Sequence, residues 1–289
     1  MNDVPYRDRW GKPVSERVAE IDPKFLPERR EGRPRWGTRL LGLGVLLLLV
    51  GALRPGATWR GRILLAGAPV AGDPLEAALD RPPAQIGVLA IKFGTRQRIR
   101  LNGAAQRTGD GILLTVTEAF GNCAKYIQRR IPTGLHAGSA APAHHTSAAL
   151  DARHAALVRG ADTFFIASTH PQRGADASHR GGRPGFAEVT DGGRLLTFPD
   201  YLGNRMFQTL GNLTVNPQTG LLFLDWETGS TLQLTGRAQI VWDAHAVRSW
   251  PRAERLVQIA VHAVHEHERA MPARWGLIEP HQRNPPVNQ

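Results

Sequence analysis

Two stretches of this chain are copies of one another. Setting Gly87 to Gln106 over Gly220 to Gln239 needs no gap, and Gly87/Gly220, Leu89/Leu222, Thr95/Thr228, Leu101/Leu234, Gly103/Gly236, Ala105/Ala238 and Gln106/Gln239 are identical. In the later copy Gly220 to Trp226 and Thr231 to Val241 read as strands joined at Glu227-Thr228-Gly229. The chain is therefore expected to build the same strand pair twice. The repeat also governs the apolar run Leu40 to Leu53. That run has 14 residues, three of them glycine, between Arg39 and Arg54, and falls short of the roughly 20 that a membrane span needs. A signal peptide fits badly, because the charged leader is long and no small-residue cleavage site follows. Leu48 to Pro55 lies over Phe164 to Pro171, so the run is expected to be a buried first strand, with a membrane tether as the competing reading.

The second half carries the richest local signals. Thr163 to Ser168 has strand composition, His170 to Gly174 supplies a turn, and the chain returns through Ser178-His179-Arg180-Gly181-Gly182 as a hairpin. Arg194 to Phe198 is a further strand, broken at Pro199-Asp200. Met206, Leu210 and Leu213 then recur at helical spacing until Pro217. A strand thus feeds a short helix through Gly203-Asn204-Arg205. Free backbone N–H groups at such a turn, with a glycine for close approach and an arginine for charge, would hold a phosphate. Ser178, His179, Arg180 and the Gly181-Gly182 pair could approach the same anion. Taken alone these residues also suit an ordinary solvated turn.

Ser-His-Arg-Gly-Gly-x-Pro-Gly-Phe (178–186), Phe-Pro-Asp-Tyr-x-Gly-Asn (198–204), Leu-Gly-Asn-Leu (210–213), Asn-Pro (216–217), Gly-Leu-Leu-Phe (220–223) and Leu-Gln-Leu-Thr-Gly-Arg-Ala (232–238), in this order, resemble the pyridoxamine 5'-phosphate oxidase-like flavoproteins. That resemblance implies a mainly β fold with short helices, built as an FMN-binding split β-barrel. It implies that Asn204 and Arg205 fall on the phosphate grip, with Ser178 to Gly182 nearby and with Asp200, Tyr201 and Gln233 among the cofactor contacts. The oxidase itself usually has Ser-Arg-Lys at this turn, and Gly203-Asn204-Arg205 points to the wider oxidoreductase-like group. Relatives with one domain pair as two subunits with flavin between them. The repeat implies that this chain builds the pair internally, as a monomeric pseudo-dimer or a homodimer of it.

The first copy departs from the second where the phosphate would sit. Gly72-Asp73-Pro74-Leu75 replaces Gly203-Asn204-Arg205-Met206; Asp73 would repel a phosphate and Pro74 removes a donor. One competent site is expected, mainly in the second half, and Arg100 of the first copy is expected to matter little to it. The first copy can still supply the opposite wall. Glu118 to Arg130 resembles an Asn-Cys-Pro-Lys-Tyr-Ile motif seen in such proteins, with Ala124 for the proline, so Lys125 or Tyr126 could lie against the isoalloxazine ring. A short amphipathic helix packing Phe120, Tyr126 and Ile127 inward is the other reading. Cys123 has no identifiable paired base for nucleophilic chemistry.

Composition narrows the remaining classes. The net charge is +11, but the only lysines are Lys12, Lys24, Lys92 and Lys125, and the arginines are scattered among acids. Neither a concentrated basic face nor a nucleic-acid module is visible. A single cysteine excludes an intrachain disulfide and suits a cytoplasmic location. Residues 1–39 read as a charged arm, 40–130 as a degenerate half, 131–148 as a linker, 149–278 as the FMN-binding half and 279–289 as a mobile tail. His144, His145 and His154 read as solvated linker residues, and His262, His265 and His267 as exposed strand histidines, so no metal site is expected. Met271 to Trp275 resembles the family's closing Leu-Pro-x-Arg-Trp. The function implied is hydride transfer between FMN and a small-molecule substrate or electron donor, with no nucleic-acid or membrane partner and no assignable catalytic residue. A flavin carrier or sensor without turnover is the alternative.

Overall fold

The computed structural model describes residues 39–40, 61–121, 123–136 and 142–287. The apolar run, apart from Leu40, and the arm, apart from Arg39, lie outside them. In chain order the strands are β1 (Arg39–Leu40), β2 (Arg62–Ala66), β3 (Ala68–Pro69), β4 (Ala84–Lys92), β5 (Gln97–Thr108), β6 (Gly111–Gly121), β7 (Arg129–Leu135), β8 (His144–Ser147), β9 (Thr163–His170), β10 (Gly174–Gly181), β11 (Glu188–Thr190), β12 (Leu195–Tyr201), β13 (Gln218–Leu224), β14 (Thr231–Val241), β15 (Ala253–His267) and β16 (Ala273–Glu279). The α-helices are short: α1 (Pro74–Leu79), α2 (Ala152–Gly160), α3 (Gln208–Val215) and α4 (Ala244–Arg248). The protein is mainly β, as expected.

One large sheet runs β10-β9-β13-β14-β15-β12-β11, with β8 added to β15, and a second runs β2-β6-β5-β4. Both are open. The order β12-β15-β14-β13 in the large sheet repeats the order of the small one. The two hairpins that the sequence superposes also share register. Gly87 opposes Asn102 as Gly220 opposes Thr235, and Leu89 opposes Arg100 as Leu222 opposes Gln233. Each copy has a bulge toward its next strand at the same place, between Asn102 and Gly103 and between Thr235 and Gly236. Glycine is required at both bulges by close backbone approach. A Cβ on Gly103 would lie 2.0 Å from the Thr115 carbonyl oxygen, and one on Gly236 would lie 2.5 Å from that of Ala260.

Each sheet buries its own core. Phe164, Phe198, Phe223, Leu196 and Leu232 anchor the larger one, and Leu65, Leu79, Val88, Leu114 and Val116 the smaller. A third cluster joins them, and here Leu89 and its counterpart Leu222 meet Phe165, Ala177 and Met271. Strand β10 crosses this seam against β4. A Cβ on Gly87 would lie 2.5 Å from the Ala177 nitrogen, so the missing side chain sets how closely the halves approach.

The described residues between and after the halves form strands and buried contacts that their composition does not suggest. Residues 131–148 carry most of β7, which pairs with β16, and all of β8, which pairs with the end of β15. His154 is buried in α2 beside Glu266 at 3.3 Å, and His267 is almost fully buried; neither is a solvated histidine. The end of β15, up to His267, is paired on both sides, by β14 and by β8. Glu118 to Gly121 continue β6 and start no helix. In the tail, Asn284 is buried and donates from Nδ2 to Gln128 Oε1 at 2.9 Å, which holds the chain where mobility was expected.

Candidate functional site

The β10 hairpin, the end of β12 and the start of α3 enclose a cleft whose other wall belongs to the first half. The space inside it that a water molecule can enter is about 100 Å³, and it opens to solvent at its mouth. The second half contributes Ser178, His179, Arg180, Gly181, Asp200, Tyr201, Asn204 and Arg205, and the first half Arg98, Arg100, Lys125 and Tyr126. The structure thus gathers most of the residues expected from the sequence. Gly182 and Gln233 do not line it. Gly182 is turned into the backbone network, its N–H donating to the Asp162 carbonyl at 3.1 Å.

Charge is concentrated at the base of the cleft. Arg100, expected to be remote, is buried there. Its Nη1 contacts Asp176 Oδ2 at 2.9 Å and Oδ1 at 3.1 Å, while Nη2 donates to Ser178 Oγ at 2.6 Å. Arg180 donates to the same hydroxyl at 3.1 Å. Alternation along β5 places Arg98 on the same face as Arg100, and its Nε, like that of Arg180, is buried without a hydrogen-bond partner among the described residues. Burial first, and the Arg100 and Arg180 charges second, lower the Arg98 pKa to about 9. His179 is held well below the usual histidine range, chiefly by burial and then by Arg98, Arg180 and Arg100, so it is neutral. Asp200 and Glu254 also line the cleft, but both engage Arg255, at 3.2 Å and 2.9 Å. The interior is therefore cationic.

The loop from β12 to α3 closes one side. Asn204 Oδ1 accepts from the Met206 N–H at 3.2 Å, so that side chain braces its own turn. Arg205 (φ 60°) and Phe207 (φ 52°) adopt left-handed backbone conformations, which non-glycine residues seldom accept without a compensating role. Phe207 caps α3 with no side-chain hydrogen bond. The first amides of that helix therefore begin beside the cleft without the usual Ser, Thr, Asp or Asn acceptor.

The equivalent place in the first half is closed. Asp73 caps α1 by accepting from the Leu75 N–H at 2.8 Å, and its second oxygen accepts from Gln233 Nε2 at 2.8 Å. Gln233 occupies in β14 the register position of Arg100 in β5, which is why it faces this second junction and misses the cleft. The cationic pair Arg98 and Arg100 was legible only through that register. Their spacing is visible in the sequence, but the partner surface is not.

A cationic cleft where two open sheets meet defines a mainly β protein with an interface site. Residues 150–283 match the family model described as pyridoxamine 5'-phosphate oxidase. The second half of this chain is thus similar to that family. Among solved structures, HupZ from Group A Streptococcus is similar at 13% identity and TM-score 0.33, over 39% of this chain and 90% of that one. A putative pyridoxamine 5'-phosphate oxidase from Lactobacillus delbrueckii is similar at 13% identity and TM-score 0.33, over 40% and 93%. An FAD-binding protein from Mycobacterium smegmatis is similar at 14% identity and TM-score 0.30, over 42% and 99%. No curated protein matches the sequence. No helix among the described residues is long and apolar enough to cross a membrane, and no group of three or more His, Cys, Asp or Glu among them is placed to hold a metal ion.

Proposed function

We propose that the cleft binds one FMN per chain and that the protein is a flavin-dependent oxidoreductase, with the two halves acting as an internal pseudo-dimer. The observation that carries this reading is the cluster of Arg98, Arg100 and Arg180, in which Arg100 pairs with the buried Asp176, beside a helix start with no side-chain cap. Guanidinium groups with buried, unpartnered Nε atoms are stabilised by an anion, and a phosphate supplies both charge and acceptor oxygens. The residues present therefore fit a flavin phosphate. Arg98, Arg180 and Arg205 would hold it. Ser178 Oγ, which accepts from Arg100 and Arg180, orients both guanidinium groups. Lys125 and Tyr126 bring the first half to the same cleft, and Asp73 with Gln233 leaves the opposite junction without a comparable place for an anion.

When bound, the flavin supplies hydride transfer at N5. The protein's own part is to fix the cofactor, exclude water and manage protons near it. Burial raises the Asp200 carboxyl above its usual range and pushes Tyr201 up to about 12. Arg180 and Arg255 act against that rise at Asp200, whereas Tyr201 stays a proton donor.

The test is titration of the purified protein with FMN, FAD and riboflavin, followed by a screen of electron donors. Uptake of one FMN per chain, weakened at least about tenfold by Arg98→Met or Arg180→Met through loss of a charge-assisted contact, is expected. Protein that takes up no flavin refutes the reading. Stoichiometric FMN that no donor reduces would leave a flavin carrier or sensor.

A further inference from the structure

Lys125 and Tyr126 look from the sequence like groups that touch a flavin ring, yet their polar atoms are engaged elsewhere. Tyr126 Oη donates to the Leu202 carbonyl at 3.0 Å. Lys125 Nζ donates to the same carbonyl at 3.3 Å and to that of Gly203 at 3.5 Å. Both acceptors lie in the β12–α3 loop of the opposite half. We infer that Lys125 and Tyr126 are positioning residues: a latch from the first half that holds residues 202–205 of the second in the shape that receives a phosphate. The inference rests on the proposed flavin site.

The loop needs such a hold. Leu202, Gly203, Asn204 and Arg205 are all exposed, so little packing fixes them. Left-handed conformations at Arg205 and Phe207 each cost on the order of 1 kcal/mol or more and persist only where neighbours impose them. The Asn204 side chain braces Met206, two residues on, and so acts within its own turn. The latch supplies a cross-link to the other half. A trans peptide points its N–H opposite its C=O, so drawing the 202 and 203 carbonyls toward Lys125 and Tyr126 also fixes the N–H groups of Gly203 and Asn204 on the other side.

Tyr126 is itself a rigid post. Its φ of 67° is left-handed, and its carbonyl accepts from Gln128 Nε2 at 2.9 Å. Gly181 packs so tightly beneath it that a Cβ there would lie 2.1 Å from the Tyr126 carbonyl oxygen. The ring lies 5.6 Å from that of Tyr201 and 6.0 Å from that of His281. Burial keeps the phenol protonated, so the hydroxyl remains a donor. A residue whose backbone packs on β10 and whose ring packs on β12 and the C-terminal tail transmits the placement of the halves to the loop.

A latch acting through the phosphate loop and a contact with the flavin ring differ in one readout. The full-length protein with Tyr126→Phe, with Lys125→Met and with both is titrated with FMN and, separately, with riboflavin, which has the ring and no phosphate. Hydrogen exchange of a peptide covering 202–207 is followed without ligand. Loss of one neutral hydrogen bond at Tyr126→Phe is expected to weaken FMN by about 3- to 10-fold while riboflavin changes by less than about 2-fold. Loop exchange is expected to speed up in each variant, most in the double. Equal losses for both flavins, or loop exchange unchanged from wild type, would overturn the inference. Wild-type protein that takes up no flavin would sink the proposed function, while the exchange comparison would still decide whether the latch exists.

Discussion

Asp176 is the carboxylate that pairs with Arg100 at the base of the cleft, and its replacement by asparagine separates the structural role of that arginine from its binding role. In the wild type Arg100 and Asp176 form an ion pair at 2.9 Å with both side chains almost wholly buried. Removing one partner of a buried pair leaves an uncompensated charge and costs about 3–5 kcal/mol. The asparagine keeps an acceptor, so about 3 kcal/mol is expected, which lowers Tm by about 6–12 °C at 2–4 °C per kcal/mol for a domain of this size. The same change leaves Arg100 available to an anion. If phosphate or FMN then binds tenfold more tightly, saturating ligand returns about 1.4 kcal/mol more to the variant than to the wild type. Thermal unfolding followed by circular dichroism, with and without phosphate, reads both effects. A variant within about 1 kcal/mol of the wild type would refute the energetic role of the pair. Equal stabilisation of both proteins by phosphate would show that Arg100, once freed, does not reach the anion that Arg98, Arg180 and Arg205 are proposed to hold.

Other changes test other parts of the structure. His179 is buried neutral, with its pKa depressed by burial and by the surrounding arginines. The unfolded chain therefore binds more protons than the folded one, so stability is held above the unfolded pKa of about 6.5 and lost as pH falls below it. Urea unfolding at pH 7.5 and 5.5 should show this slope, and His179→Gln should flatten part of it. Gly87→Ala inserts a methyl group 2.5 Å from the Ala177 nitrogen; it is expected to lower Tm by several degrees and to weaken FMN, because the halves must separate. Gly103→Ala, at a bulge, is expected to destabilise the small sheet without that specific effect at the seam. Arg205→Ala removes an exposed charge from the loop and should weaken FMN less than Arg180→Met does; the reverse order would put the phosphate at the loop and not at the arginine cluster.

What the sequence determined by itself was the repeated hairpin and the elements around the phosphate turn. Register and bulge in Gly87–Gln106 and Gly220–Gln239 follow from local alternation and from glycines where backbones must touch, and these are one-dimensional patterns. The Ser178 to Gly181 strand and the helix carrying Leu210 and Leu213 were legible for the same reason, since strand composition and helical spacing are short-range; the break expected at Pro199-Asp200 was not found, because pairing with β15 carries β12 on to Tyr201. The partner surface was not. Arg100 and Gln233 hold one position in two copies of the same hairpin, and nothing local says that one meets Asp176 and Ser178 while the other meets Asp73. Lys125 and Tyr126 were found by motif, yet what they touch, two carbonyls of the opposite half, depends on how closely the sheets dock. That distance is set by residues far apart in sequence, Gly87 against Ala177 and Leu89 against Leu222 and Met271. Side-chain chemistry is written along the chain, but a charge becomes a site only where burial strips it of water and decides which partner replaces the water, and that choice belongs to the tertiary structure.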